Sequence, residues 1–267
     1  MSSGSTPNTG VPQPPKAVHP TRIIRKMTVA DIRDYTPQIR ELFISCTEPG
    51  DFEFKAGQFV MLHVPPDLSI GPNDANGKPL KPALRAYSIA STDEQRDGFR
   101  LVFKYVDGGV ASKFVWALDK GAVLDFTGPF GRVFFKEPPT EQCIFMNTGS
   151  GISQHFSFIE SNMKKYPNLR YRLLFGVRYK DDIYYREELE RLKSQLPNFE
   201  YQYVLSRPDE DWTGPRGYVQ KHIHDFDYKN IPTTFYLCGN GAMIKDVKHQ
   251  LEADGFDMKN VFAEAFD

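Results

Sequence analysis

Cysteine is scarce in this chain. Its 267 residues include three cysteines, Cys46, Cys143 and Cys238, which lie far apart and form no CxxC pair and no Cys/His cluster. This spacing argues against a zinc site, and the plant-type CxxxxCxxC spacing of an iron–sulfur cluster is also missing. We therefore expect no bound metal. An odd number of unpaired cysteines favours reduced thiols and a cytoplasmic location.

The chain also has no excess of positive or negative charge. The 33 Lys and Arg against 34 Asp and Glu give a net charge of -1, so no basic field is available to bind nucleic acid. No apolar run reaches the roughly 20 residues that span a bilayer, and we expect no membrane insertion. Residues 1–20 are rich in Ser, Gly and Pro without the apolar segment of a signal peptide, which predicts a disordered tail.

Two regions with different patterns of apolar and turn residues follow the tail. Over residues 21–138, short β-rich runs separated by turn residues predict an antiparallel six-stranded β-barrel. The runs are QIRELFISCTE, QFVMLHV, RAYSIAS, FRLVFKYV, AVLDFTG and GRVFF, and the sequence ASKFVWALDK predicts a short helix among them.

Over residues 139–267, apolar strands alternate with helical segments, which predicts an α/β domain with a parallel sheet. The predicted strands are CIFMNTG, LRYRLLFGV, FEYQYVLSR, TTFYLCG and VFAEAF. The predicted helices are ISQHFSFIESNMKKY, DIYYREELERLKSQL, YVQKHIHDF and AMIKDVKHQLEADG. The fold class is therefore α+β with two domains, and nucleotides bind such parallel sheets at the carboxyl ends of the strands.

The barrel region contains two candidate ligand motifs. In Arg85-Ala86-Tyr87-Ser88, alternation places Arg85 and Tyr87 on one face of a strand and Ser88 on the other. Arg can bind a pyrophosphate and Tyr can stack on a flat ring, but a solvated Arg beside a half-buried Tyr explains the motif equally well. The second motif, residues 108–112 (GGVAS), precedes the short helix and suits either phosphate binding or an ordinary turn with an N-cap.

The α/β region contains three more. Residues 148–152 (TGSGI) end one strand and open a helix, as a dinucleotide loop or a plain turn would. Residues 238–243 (CGNGAM) follow strand TTFYL, so Cys238 is either a site residue at the sheet edge or a buried structural cysteine. Near the end, Glu264 and Phe266 share one face of an extended segment, as a site pair or as a solvated acid beside a core ring.

The order of these motifs, together with residues 128–131 (GPFG), resembles the ferredoxin–NADP reductase superfamily of FAD flavoproteins over nearly all of residues 21–267. The resemblance assigns FAD to the barrel and the nicotinamide nucleotide to the α/β domain. It implies that Arg85 contacts the FAD pyrophosphate and that Tyr87 and Ser88 lie against the isoalloxazine. It also implies that Cys238 and Glu264 join Ser88 around the nicotinamide, with the Phe266 ring over the flavin.

The resemblance implies four catalytic residues, which are Ser88, Cys238, Glu264 and Phe266. In the barrel it implies cofactor contacts at Arg85, Ala86, Tyr87, Ser88, Phe103, Tyr105, Val106, Gly108, Gly109, Val110, Ala111 and Ser112. In the α/β domain it implies contacts at Thr148, Gly149, Gly151, Ile152, Arg178, Ser206, Arg207, Arg216, Tyr218, Cys238, Gly239, Asn240, Met243 and Phe266.

Nucleotide choice depends on two short segments. Ser206-Arg207 and Arg216-x-Tyr218 resemble the residues that bind the adenosine 2′-phosphate of NADPH, since Arg recognises phosphate and Tyr stacks on adenine. Residues 209–211 (DED) lie between them and would repel a further phosphate. The prediction is FAD with NADP, and NAD is the alternative.

The predicted function is an enzyme, an FAD-containing oxidoreductase that transfers hydride between NAD(P)H and FAD and electrons to a separate soluble carrier. The resemblance names ferredoxin or flavodoxin as that carrier. The alternatives are a reductase component of an oxygenase system, an electron-transfer subunit that uses NADH, and a nucleotide-binding module without turnover. A hydrolase has little support, because neither GxSxG nor HExxH occurs.

Overall fold

A computed structural model describes residues 23–66 and 73–266 of the chain. The predicted tail over residues 1–20, part of the loop after Pro65 and the final Asp267 lie outside the described residues. The described part contains two sheets, one antiparallel and one parallel.

The antiparallel sheet has six strands in the order β4-β3-β6-β1-β2-β5. Its strands are β1 (Arg25–Thr36), β2 (Ile39–Ser45), β3 (Phe59–Val64), β4 (Ala83–Ser88), β5 (Gly98–Lys104) and β6 (Val123–Phe130). Helix α1 (Val110–Trp116) lies between β5 and β6. A bridge between Ile89 and Leu101 joins the two edges, so the sheet closes as the predicted barrel.

Alternation in β3 shows how the sequence builds the barrel. Val60, Leu62 and Val64 are buried in its core, while the intervening Phe59, Met61 and His63 are half-buried on the other face. This face therefore presents apolar side chains outside the barrel core.

The predicted number of barrel strands is confirmed, but one run was assigned wrongly and one strand was missed. Residues 131–135 (GRVFF) form no strand, because Phe135 instead packs across to the second sheet, with its ring 5.7 Å from that of Tyr236. Strand β1 was missed because it is rich in charged residues, and only Met27 and Val29 of its side chains are fully buried.

The parallel sheet has five strands in the order β11-β10-β7-β8-β9. Its strands are β7 (Gln142–Thr148), β8 (Arg170–Val177), β9 (Phe199–Leu205), β10 (Thr233–Gly239) and β11 (Val261–Ala265). The α-helices are α2 (Ile152–Asn162), α3 (Arg186–Gln195) and α4 (Gly241–Ala253). The strand order reverses between β7 and β10, which is where ligands bind in such sheets.

Strand β10 is buried on both faces, and β7 is buried along most of its length, as their continuous apolar runs predict. Two predicted helices of the α/β domain differ from the structure in type or in starting residue. Residues 218–226 contain a 3₁₀ helix over Val219–Asp225, and the helix expected from Asp182 begins at Arg186. Helix α3 begins later than predicted because Tyr184 and Tyr185, which precede it, are buried in the core.

Buried polar contacts join the two domains. The hydroxyl of Tyr185 donates a hydrogen bond to Glu41 of the barrel, and the hydroxyl of Tyr35 donates to Glu188 of α3 at 2.8 Å. Arg33 pairs with Glu188 at 2.7 Å. Burial raises the pKa of the Glu41 carboxyl. These hydrogen bonds and the ion pair span the interface and favour one arrangement of the two halves.

No helix among the described residues is long and apolar enough to cross a membrane.

Candidate active site

Cys238 and Glu264 lie side by side on the parallel strands β10 and β11, as direct register partners. The Cys238 side chain is fully buried, and burial, followed by the charge of Glu264, raises the pKa of its thiol well above the usual value. The thiol is therefore protonated at neutral pH.

The loop after β7 packs against this pair. A Cβ atom on Gly151 would lie 2.5 Å from the Cys238 carbonyl oxygen, so the backbone approach requires glycine. Gly239 has φ +129, and the Thr148 hydroxyl accepts the Asn240 N–H at 2.9 Å. The two glycine motifs predicted from the sequence therefore form one unit where the strand order reverses.

The Glu264 carboxylate is held by a residue that the sequence did not single out. Nε2 of Gln154, in the first turn of α2, donates a hydrogen bond to Glu264 and another to the Gly57 carbonyl of the barrel at 3.2 Å. Burial raises the pKa of Glu264, and the bond from Gln154 opposes that rise. Phe266 follows at the end of β11, and its N–H donates to the Gly239 carbonyl at 2.9 Å.

A cavity of about 690 Å³, here called the interdomain cavity, has walls from both domains. Its barrel wall combines the outer face of β3 with the end of β6 and the residues after it, and its other wall is β11. The lining residues are Gln58, Phe59, Met61, Pro129, Phe130, Gly131, Arg132, Val133, Ala263 and Glu264.

Ser88 lies one strand from this cavity, since its register partner on β3 is Phe59. Its hydroxyl oxygen is buried and has no hydrogen-bond partner among the described residues. Buried polar atoms are rarely left unpaired, so this hydroxyl suits a ligand that supplies a polar atom. The neighbouring Tyr87 ring lies 4.3 Å from Phe103, and burial raises the pKa of Tyr87 to about 12.

Arg85 and the start of α1 are more exposed. The Arg85 guanidinium makes one hydrogen bond to a described residue, to the Leu84 carbonyl at 2.9 Å. Gly109 caps α1 without a side-chain hydrogen bond, and Ser112 accepts the Val106 N–H at 2.8 Å. Ser112 therefore stabilises the turn, as the ordinary reading of this motif expects, and the helix start keeps free backbone N–H groups.

The remaining residues predicted around α1 differ in exposure. Val106 and Val110 are exposed, whereas Ala111 is buried. Tyr105 packs edge-on against Trp116 at 5.2 Å. Exposed apolar side chains beside free N–H groups suit a ligand with a flat ring and a phosphate.

A second cavity of about 560 Å³, here called the nucleotide cavity, opens at the carboxyl ends of the parallel strands. Seven predicted residues line it: Thr148, Gly149, Arg178, Ser206, Tyr218, Asn240 and Met243. Twelve further lining residues were not predicted: Ile39, Lys104, Gly176, Val177, Asp182, Tyr184, Val204, Gly217, Val219, Gln220, Ala242 and Asp246.

The three cations predicted in the α/β domain, and Lys104, which was not predicted, differ in their contacts. Arg178 and Lys104 line the nucleotide cavity, and their side chains make no hydrogen bond or ion pair with any residue that the structure describes. Arg207 donates to the Tyr179 hydroxyl at 3.2 Å. One nitrogen of Arg216 donates to the Asp209, Glu210 and Trp212 carbonyls at 3.1, 3.1 and 2.6 Å. Neither Arg207 nor Arg216 is among the lining residues.

Some of the site residues that the sequence analysis missed could have been found from a sequence pattern, and others could not. Alternation in β3 places Phe59 and Met61 on the outer face of the barrel, and the GPFG segment contributes Pro129, Phe130 and Gly131. Gln154 gave no signal, because its partners lie 97 and 110 positions away. Among residues 23–66 and 73–266, no three His, Cys, Asp or Glu side chains converge as metal ligands would.

Two family models match the chain. The oxidoreductase FAD-binding domain matches residues 26–135, and the oxidoreductase NAD-binding domain matches residues 145–249. Ferredoxin–NADP reductase B of Sorangium cellulosum is 31% identical over 245 residues, which cover 88% of this chain and 95% of that protein. The phenol hydroxylase P5 protein of Acinetobacter pittii is 29% identical, and the match covers 90% of this chain but 64% of that longer protein.

Solved structures have the same fold. A cytochrome P450 reductase from Amycolatopsis superposes with a TM-score of 0.78 at 22% identity, over 92% of this chain and 71% of that one. A ferredoxin NADP⁺ reductase from Neisseria gonorrhoeae, with bound FAD and NADP, superposes with a TM-score of 0.73 at 20% identity, over 91% and 98% of the two chains. The described barrel and parallel sheet, the two domain models and the Sorangium relative lead to one assignment: the chain belongs to the ferredoxin–NADP reductase family of FAD- and NAD(P)-binding oxidoreductases.

Proposed function

We propose that the protein takes electrons from NADPH through a bound FAD and passes them to a separate soluble carrier, ferredoxin or flavodoxin. The interdomain cavity is the observation that carries this proposal. Its barrel wall lies beside the strand that bears the predicted FAD residues, and its other wall contains Glu264, the predicted nicotinamide residue.

The residues around the barrel wall fit FAD. Ser88 has a buried hydroxyl without a described partner, and the exposed guanidinium of Arg85 makes one described hydrogen bond, to a neighbouring carbonyl. When bound, FAD accepts two electrons from a reduced nicotinamide and can release them one at a time. In this proposal Ser88 holds the reactive edge of the ring, and Arg85 and the N–H groups at the start of α1 hold the pyrophosphate.

The residues on the sheet side orient the nicotinamide. Cys238 contributes a neutral, buried thiol, and Glu264 contributes a carboxylate whose direction is set by Gln154. Phe266 lies just beyond them, and the resemblance assigns its ring to the flavin face. The ring must then move aside before a nicotinamide can stack there, so a local conformational step can limit turnover.

The nucleotide cavity supports NADPH as the donor. Ser206 and Tyr218 line it, and Arg178 and Lys104 supply cations without described partners. Two cations and an aromatic ring in one cavity suit a nucleotide with an additional phosphate. Asp182 and Asp246 line the same cavity, and each accepts a hydrogen bond that orients its carboxylate, from the Tyr179 N–H and the Gln220 amide.

A separate carrier and a cytoplasmic location belong to the same proposal. The described cysteines are free thiols, as in a reducing compartment, and no iron–sulfur spacing occurs in the sequence. In this proposal the one-electron acceptor is a separate protein.

Anaerobic absorbance spectroscopy tests the proposal. Purified protein reconstituted with FAD should be yellow, and NADPH should bleach the flavin band. Adding oxidised ferredoxin or flavodoxin should then restore the absorbance of the oxidised flavin at the rate of catalytic turnover. A colourless protein that ignores added FAD, or a flavin that NADPH leaves oxidised, contradicts the proposed function.

A second candidate is a reductase component of an oxygenase system. The similarity to the phenol hydroxylase P5 protein favours it, although the match covers 64% of that protein. The same assay separates the two functions when an oxygenase component replaces ferredoxin as the acceptor. Faster reoxidation by the oxygenase component than by ferredoxin or flavodoxin would favour the second candidate.

A further inference from the structure

Gln154 connects three parts of the chain. It lies in the first turn of α2 and is 1% exposed. Its Nε2 atom carries two hydrogens and makes two bonds, one to Gly57 before β3 and one to Glu264 on β11. Both hydrogens of this amide nitrogen are therefore used, one by the barrel and one by the proposed nicotinamide residue Glu264.

We infer that Gln154 is a positioning residue that fixes the Glu264 carboxylate relative to the barrel, and so sets its direction and charge for the reaction. This inference rests on the role proposed for Glu264. Gln154 touches neither cavity as a lining residue and acts through Glu264.

The barrel end of this contact is closely packed. A Cβ on Gly57 would lie 2.4 Å from the Val133 carbonyl oxygen and 2.6 Å from the Phe158 ring. The Gly57 backbone therefore lies directly against its neighbours, and its carbonyl accepts from Gln154 within a packed segment of the barrel.

The same segment reaches the predicted flavin residue. The Gln58 carbonyl accepts the N–H of Ile89, which directly follows Ser88, at 3.0 Å. A continuous path of hydrogen bonds and short backbone steps thus runs from Ser88 through Gln58, Gly57 and Gln154 to Glu264. The path relates a residue proposed for the flavin to a residue proposed for the nicotinamide across the domain boundary.

Among the described residues, Gln154 is the side chain that donates a hydrogen bond to the Glu264 carboxylate. The other titratable groups around Glu264 are as follows. On the neighbouring strand, Cys238 is a protonated thiol, and Arg132 is the cation that shares the interdomain cavity. On α2, burial lowers the pKa of His155 to about 3, so this ring is neutral. A donor to a carboxylate favours the charged form, and its removal leaves burial to favour the neutral form.

Direct titration of the carboxyl group tests the inference without turnover. Carbon NMR of protein labelled at the Glu side-chain carboxyl carbon, loaded with FAD and free of nucleotide, follows Glu264, and Glu264→Gln identifies its signal. The Glu264 midpoint should rise in Gln154→Met, which keeps the side-chain volume but cannot donate. An unchanged midpoint would overturn the inference.

A double-mutant cycle on NADPH-dependent dye reduction adds a functional readout. Gln154→Met should lower kcat about tenfold in the wild-type background and less than twofold in the Glu264→Gln background, since a donor to a charged group loses its target there. KM for NADPH should stay within about twofold, because Gln154 is not among the residues that line the nucleotide cavity. Equal losses of kcat in both backgrounds would show a merely structural role and overturn the inference.

Two further variants keep the test decisive. Gln142→Met removes another buried amide, at the start of β7, whose Nε2 donates two hydrogen bonds, to the Asp227 carbonyl and the Thr233 hydroxyl, and should leave the Glu264 titration and kcat unchanged. If Gln154→Met does not fold, Gln154→Asn withdraws the amide by one methylene and should raise the same midpoint. A Glu264→Gln variant with wild-type kcat would contradict the proposed role of Glu264, whereas an unmoved midpoint would contradict the positioning role of Gln154 itself.

Discussion

Cys238 and Glu264 are direct neighbours across the β10–β11 pair, with a protonated thiol beside a half-buried carboxylate. Each group raises the cost of charging the other, because like charges in a buried site repel. The proposed nicotinamide pocket therefore carries at most one negative charge from this pair near neutral pH.

Replacing the thiol should affect turnover without changing its pH dependence. Cys238→Ala should lower kcat about tenfold, since the pocket loses a packed atom beside the reacting ring. Because the thiol stays protonated, the shape of kcat against pH between about pH 7 and 9 should match the wild type. An alkaline limb present in the wild type and lost in the variant would contradict this assignment. Cys143→Ala, which removes another buried thiol with a raised pKa, is the matched control and should keep kcat.

Removing the Ser88 hydroxyl should separate stability from function. In Ser88→Ala the FAD-free protein should keep or slightly raise its Tm, because a buried polar atom without a partner disappears. Turnover of the FAD-loaded variant should fall at least about tenfold. Differential scanning fluorimetry and dye reduction measure the two effects.

Ser91 provides the opposite case for this test. Its buried hydroxyl accepts the Arg100 N–H at 2.9 Å, so Ser91→Ala leaves that N–H unpaired and should lower Tm. Equal Tm changes in the two variants would show that the Ser88 hydroxyl has a partner in the folded protein.

The choice of nucleotide can be tested at Arg216. Arg216→Ala should raise KM for NADPH about tenfold and KM for NADH less than threefold, because one nitrogen of the guanidinium binds the loop carbonyls and we expect the others to bind the 2′-phosphate. Arg178→Ala, at a cation that lines the nucleotide cavity, provides the comparison. Equal effects of Arg216→Ala on both nucleotides would limit Arg216 to the loop carbonyls that it already binds.

Acid stability should depend on His155. This ring is fully buried, and burial lowers its pKa to about 3 from an ordinary value near 6.5. Between about pH 6.5 and pH 3, His155 is therefore protonated in the unfolded chain but neutral in the folded protein. The free energy of unfolding should fall as pH drops through this range, by at most about 4–5 kcal/mol from this group.

His155→Gln removes that proton uptake and should flatten the decline. Urea unfolding of both proteins at several values between pH 4 and 7 measures the difference, since carboxylates contribute equally to both curves. Parallel curves would show that the folded protein can protonate His155.

The sequence predicts the parts of this molecule that depend on local pattern. Continuous apolar runs such as β7 and β10 predict the parallel sheet, and turn glycines beside them predict the site at its edge. The same reasoning failed for residues 131–135, where apolar side chains serve packing across the domain boundary. It also failed for β1, whose exposed charges hide the alternation of a strand.

Long-range partners limit what the sequence predicts of the site. Gln154 and Lys104 look like ordinary polar residues until folding brings them to Glu264 and to the nucleotide cavity. Arg216 shows the opposite difficulty, because a cation can bind a ligand or the carbonyls of its own loop, and spacing along the chain does not distinguish these partners.

The contact of Tyr185 with Glu41 has a consequence for how substrates enter and leave. Hinged opening of the two halves would break this hydrogen bond between two buried side chains, whereas rotation of a side chain at the edge of the interdomain cavity would leave it intact. We therefore expect substrates to enter and leave through side-chain movements rather than through separation of the two domains.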